Sequence, residues 1–203
     1  MSLSAQTIRY YAMRHRMITP YNDDKVVIRG KSAGLSSSSY DMTIAHDLIL
    51  GVDPARIMEK HILQHGFTRE DLLQEALRAN PEYVSLAHTA EDLKLPAHID
   101  GEVLNKSSLA RVFCKPDNTY IDPGFEGNLT LELTNHGPEP VVFKAGDPVV
   151  QIVFGFLDMP TERPYRGKYQ NQTKAAHPAR YEDDEAHKVV ELNRVPGYPE
   201  GGW

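Results

Sequence analysis

The chain has 203 residues, 40% of them hydrophobic and 25% charged, with a formal net charge of −6 and a single cysteine, Cys114. That length suits one well-cored domain with decorations, and no apolar run nears the ~18 residues that a membrane helix needs. An acidic balance is the wrong sign for coating nucleic acid or clinging to a membrane surface, although a few cations in one pocket can still hold phosphates.

The N-terminus "MSLSAQTIRYYAMRHR" lacks the apolar stretch and cleavage site of a secretory signal. A lone cysteine cannot form an internal disulfide, so a cytoplasmic protein is expected, with Cys114 acting as a small buried hydrophobe. "SAQTIRYYAMRHR" predicts an amphipathic helix capped by Ser4, with Ile8, Tyr11 and Ala12 on one face. A turn at "YNDD" leads into the strand "KVVIRG", and alternating Tyr40, Met42 and Ile44 predict another. Between residues 53 and 81 the period changes. "DPARIMEKHILQHG" and "TREDLLQEALRANP" carry the caps, prolines and terminal glycine of a helical hairpin inserted into a β-rich chain.

From Tyr83 onward, "EYVSLAHT", "GEVLNKSS", "LARVFC", "NLTLELTN", "PVVFKAG" and "DPVVQIVFGFL" alternate with turn residues. Many short strands at that spacing predict a β-sandwich or barrel. After Pro160 the chain is polar and turn-rich, more an arm than core. Strict alternation in "NLTLELTN" puts Leu129, Leu131 and Leu133 on one face and Thr130, Glu132 and Thr134 on the other. Taken alone, Glu132 is then an ordinary carboxylate on a solvated face.

Other motifs carry little. "GKS" at residues 30–32 lacks the glycine of a phosphate-binding loop, where this chain has Lys25. His61 and His65 lie one helical turn apart, but no glutamate completes a metalloprotease pattern. One cysteine rules out the C-x-x-C signature of zinc deaminases.

A series of ordered blocks says more. "LAHTAEDLKLPAHIDGEVLNKSSLAR", "YIDPGFEGNLTLELTN", "AGDPVVQIVF" and "RPYRGKYQNQ", with the opening "LSAQTIR" and "SSSSYDM", resemble the dCTP deaminase family, which shares a trimeric β-fold with dUTPases. The resemblance implies one all-β domain over 1–203, a dUTPase-like distorted barrel or jelly roll. An N-terminal helix, the insertion at 53–81 and a C-terminal arm at 174–203 would complete it. It implies hydrolytic deamination of dCTP to dUTP with Glu132 as general acid/base, helped by Ser107 and Arg111. Lys106, Ser107, Ser108 and Arg111 would contact the nucleotide, Asp122 the deoxyribose 3′-hydroxyl, and Thr130, Gln151, Tyr165, Lys168 and Gln172 the rest of it. Expected partners are a deoxynucleoside triphosphate and two further copies in a homotrimer with sites between subunits. Mg²⁺ would arrive on the triphosphate, and neither zinc, nucleic acid nor membrane is expected.

The chemistry wants such residues. Water adds to C4 of cytosine, N3 takes a proton and ammonia leaves, so one group must accept a proton early and return it later. Two rival readings share the motifs. A dUTPase would use Asp122 to orient water toward the α-phosphate, and a bifunctional enzyme would keep both Asp122 and Glu132. A non-catalytic nucleotide sensor is the third. Asn105 stands where the family usually has glycine, and "VFCKPDNTY" is shorter than the family's hairpin, which bears on base recognition.

Overall fold

The computed structural model describes residues 2–53, 84–117 and 120–177. The predicted hairpin at 53–81, apart from Asp53, and all of the arm beyond residue 177 lie outside them.

Helix α1 (Ala5–His15) begins where Ser4 accepts the Thr7 N–H on its hydroxyl, and it ends at Arg16 in the left-handed region at φ 54°. It buries Ile8 and Ala12, as the 3.6-residue spacing requires, while Tyr11 is half-buried.

Twelve strands follow among the described residues, all pairing antiparallel. The six-stranded sheet runs in the order β2 (Val26–Ile28), β3 (Lys31–Leu35), β4 (Tyr40–Thr43), β12 (Pro148–Phe156), β7 (Ile99–Asn105), β9 (Tyr120–Ile121). The four-stranded sheet is β1 (Ile18–Thr19), β6 (Val84–Lys94), β10 (Glu126–Asn135), β8 (Cys114–Pro116), and β5 (Leu48–Leu50) pairs with β11 (Val141–Phe143). Alternation puts Val150, Ile152 and Phe154 of β12, Tyr40 and Met42 of β4, and Leu131 and Leu133 of β10 into one shared core. Each fully buried large side chain contributes about 1.5–3 kcal/mol relative to exposure. Cys114 is buried among them, and that burial pushes its thiol up to about 11.

The expected all-β architecture with an N-terminal helix therefore holds, but the described sheets stay open and do not close into a barrel. They are tied where β4 meets β6. Thr43 of β4 donates its N–H and its hydroxyl, each at 2.9 Å, to the Glu91 carboxylate of β6, and Ile44 bridges Thr89. The segment "LARVFC" does not form the single strand expected of it. Ser107–Ala110 is a short helical turn, α2, and only Cys114 onward is extended. No helix among the described residues is long and apolar enough to cross a membrane.

Candidate active site

A cavity of about 480 Å³ opens between β10 and the chain that follows β12. Its polar side chains are Asp122, Thr130, Glu132, Gln172 and His177, set against Tyr120, Phe125, Tyr165, Tyr169 and the apolar Leu86, Val103, Ile121 and Leu129. Strand alternation delivers Thr130 and Glu132 to this face. Their cross-strand partners on β6 are His88 and Leu86. Glu132 is half-buried, and its backbone carbonyl accepts the Asp117 N–H at 2.8 Å.

Leu129, Leu131 and Leu133 are all buried, as alternation along β10 requires, but the pairing with β6 is irregular beside Leu129. The β6–β10 register slips between Asn128 and Thr130, and Leu129 turns its N–H onto the Thr89 hydroxyl at 3.0 Å. The extra residues of this bulge lie on β6, between Asp92 and His88, and Leu129 opposite them lines the cavity as well as touching the core.

The opposite wall comes from the segment that was expected to behave as an arm. Residues 164–177 fold back over the loop before β10. Tyr165 donates its N–H to Pro123 O, Asn171 to Glu126 O, and Asn128 to Gln172 O. Gln170 spans the same loop, accepting from Glu126 N at 3.0 Å and donating to Gly124 O at 2.8 Å. The Thr130 hydroxyl donates to Gln172 Oε1 at 3.0 Å and accepts the His177 N–H at 3.1 Å. Gly127, at φ +130°, makes the close approach possible, because a Cβ there would lie 2.5 Å from Gln172 O. Gln172 is only 7% exposed.

Of the residues expected at the site, Asp122, Thr130, Glu132, Tyr165 and Gln172 converge on this cavity. Lys106, Ser107, Ser108, Arg111, Gln151 and Lys168 are not among its lining. Ser107, Ser108 and Arg111 stand exposed on and just after α2, with the Arg111 guanidinium donating to the Ser107 carbonyl at 2.8 Å. Gln151 donates to the Ser39 hydroxyl at 2.6 Å, and the Lys168 ammonium lies 5.4 Å from the centre of the Tyr169 ring. The aromatic residues Tyr120, Phe125 and Tyr169 had drawn no assignment, although each sits inside or beside a quoted motif. Nothing in the sequence marks His177.

Charge around the cavity is uneven. Burial lowers the pKa of the His88 imidazole, and neighbouring His46 and His177 lower it further. Asp117, beside β10, is held below the usual carboxylate range by its hydrogen bond from Lys115, with Thr134 adding to the effect. Among the described residues no three His, Cys, Asp or Glu side chains come together as a metal site.

A family model described as "dCTP deaminase-like" matches residues 2–157. A dCTP deaminase from Campylobacter hominis is 31% identical over 191 residues, covering 89% of this chain and 97% of the relative. A "dCTP deaminase, dUMP-forming" from Sulfurihydrogenibium sp. is 30% identical over 176 residues, covering 85% and 93%. A solved 2′-deoxycytidine 5′-triphosphate deaminase from Agrobacterium tumefaciens is similar at a TM-score of 0.48 and 18% identity, covering 75% of this chain and 47% of that one.

Proposed function

Because the chain belongs to the dCTP deaminase-like family, we propose that it hydrolyses dCTP to dUTP and ammonia, with Glu132 moving the protons. The observation that carries this reading is one cavity, of a size that suits a nucleoside, in which a half-buried carboxylate faces aromatic walls and a short row of hydrogen-bonding groups. Glu132 takes one proton from water as its oxygen bonds to C4 and passes that proton to N3. The same carboxylate then takes the second proton from the C4 hydroxyl and gives it to the amino nitrogen, the C4–N bond breaks, and ammonia departs as the C4 carbonyl forms. Thr130, held between Gln172 and the His177 backbone, fixes the polar edge beside that carboxylate. Asp122 accepts the 3′-hydroxyl, and Tyr165 and Phe125, whose ring centres are 5.9 Å apart, enclose the sugar and base.

The residues outside the cavity support a shared site. Ser107, Ser108 and Arg111 are exposed, and with Gln151 they offer hydroxyl, guanidinium and amide groups suited to phosphate oxygens. In this reading they complete the cavity of a neighbouring copy in a homotrimer, where Ser107 and Arg111 also position the attacking water and Lys168 meets the triphosphate. In this reading a Mg²⁺ ion would be carried on the triphosphate and offset phosphate charge.

A second reading is favoured by the presence of Asp122 and Glu132 in the same cavity. A bifunctional enzyme would deaminate dCTP and then use Asp122 to direct water at the α-phosphate, releasing dUMP and pyrophosphate. Incubation of purified protein with dCTP and with dUTP, following ammonia and pyrophosphate separately, decides between them. Ammonia from dCTP without pyrophosphate is the expected outcome. Both products indicate the bifunctional enzyme, pyrophosphate from dUTP alone a dUTPase, and neither product a nucleotide-binding protein without turnover.

A further inference from the structure

Glu132 has a charged neighbour across the strand. The pairing of β10 with β8 runs Asn135 to Cys114, Thr134 to Lys115 and Leu133 to Pro116. One step further along the same ladder the Asp117 N–H meets the Glu132 carbonyl at 2.8 Å, which sets these two residues opposite each other. Opposed residues point to the same face of a sheet, with Cβ atoms about 5 Å apart. A side-chain contact confirms the face: Thr134, two residues along β10 from Glu132, donates its hydroxyl to Asp117 Oδ2 at 2.9 Å. The Asp117 carboxylate therefore stands on the Glu132 side of β10, without being part of the cavity lining.

Asp117 holds its charge. Lys115 bonds its Oδ1 and Thr134 its Oδ2, and the Lys115 hydrogen bond keeps the carboxyl below the usual carboxylate range. An ionised carboxylate makes a second one beside it harder to ionise, the arrangement that separates acid from base in a carboxylate pair. Lys115 opposes this, but it lies one step further from Glu132 in the ladder, and its side chain is 58% exposed and so screened by water. Among the described residues, the other titratable groups near this face are His88 of β6 with His46 against its ring, His177 and Asp122 in the cavity wall, and His136 just past β10. None of these is directly opposed to Glu132, whose partner on β6 is Leu86.

We propose that Asp117 is a positioning residue for the proton on Glu132: its fixed negative charge favours the protonated carboxyl, so that Glu132 takes up and gives back protons near neutral pH. Asp117 touches neither water nor cytosine in this role and acts through Glu132. The inference rests on the reading of Glu132 as the group that moves protons.

Glu132 must be ionised to take the first proton from water, so turnover falls on the acid side as that carboxylate is protonated. Asp117→Asn keeps the shape and an acceptor for Thr134 but removes the charge, and the acid limb of kcat should move down by roughly half a pH unit. A purely structural role would lower kcat at every pH and leave the limb in place. An acid limb that stays or moves up in Asp117→Asn overturns the proposal.

Carbon NMR of the side-chain carboxyls follows the same group without turnover, the Glu132 resonance being the one absent from Glu132→Gln. Its midpoint in the nucleotide-free protein should also fall by roughly half a pH unit in Asp117→Asn. Should that variant fail to fold, Lys115→Met removes the opposing cation and should raise the midpoint; there, a midpoint that is unchanged or falls overturns the proposal. Glu132→Gln protein that still releases ammonia from dCTP at the wild-type rate overturns the proposed function. An inactive Glu132→Gln with the Glu132 midpoint unmoved in Asp117→Asn overturns this inference alone.

Discussion

The cavity on β10 and the α2 turn are built by different means. Thr130, Glu132 and Gln172 are half-buried or buried, sit on a long strand or a strap bonded to it, and are oriented by neighbours in the same chain. Ser107, Ser108 and Arg111 project from a four-residue helical turn and its C-cap, whose order comes from beneath, through Leu109 and the enclosed Lys106–Asp41 pair. One region holds its side chains where they act, while the other holds a backbone and leaves its side chains exposed. That division suits a site in which the group handling protons must be fixed closely and the groups meeting phosphate must reach out to something arriving.

The largest effect should come from the cavity. Glu132→Gln keeps shape and removes the titrating oxygen, so ammonia release from dCTP should fall by roughly 10³-fold, within the range for losing a general acid/base. Calorimetric binding of dCTP should stay within about twofold. A similar loss in both quantities would place Glu132 in binding and erase the contrast between the two regions.

The next effect tests the joint between the sheets. Burial pushes the Glu91 carboxyl up to about 7, despite the two hydrogen bonds it accepts from Thr43. Its folded pKa thus lies above the unfolded value near 4.5, and the folded state binds the extra proton in between. Stability should therefore decline as pH rises from about 4.5 to about 7 and then level off, by up to about 3 kcal/mol. Denaturant melts across that window check it. Glu91→Gln should flatten this contribution, and an unchanged slope would assign it to other groups.

The smallest effect concerns the strap. Gln172→Ala removes the acceptor for the Thr130 hydroxyl, a neutral hydrogen bond worth about 1 kcal/mol, so KM should rise about fivefold with kcat less affected. A large fall in kcat with KM unchanged would instead mean that Thr130 takes part in the chemistry.

Much of this was legible before folding was considered. Ser4, Ile8 and Ala12 gave the helix and its buried face; Leu131, Leu133 and Glu132 gave β10 and its two sides. The motif blocks named five of the cavity's polar and aromatic residues. Three features were hidden for physical reasons. Leu129 lines the cavity as well as the core beside a bulge on β6, which period-2 reasoning along β10 cannot anticipate. "LARVFC" has β-favouring residues, yet the Lys106 carbonyl captures two N–H groups and starts a helical turn. The turn-rich chain after Pro160 looked loose by composition, but its backbone groups pair with Pro123, Glu126 and Asn128, and part of it becomes a wall.

The sequence by itself determined which segments extend, which one coils at the N-terminus, and which face of each is apolar. These follow from neighbours a few residues apart, through side-chain period and capping chemistry. Tertiary structure alone decided which polar groups share a site, because the deciding contacts join distant positions: Thr130 to Gln172 across 42 residues, Glu91 to Thr43 across 48, and Lys106 to Asp41 across an intervening strand. A buried charge or hydroxyl must find a partner wherever the fold brings one, and local sequence carries no record of which partner that will be.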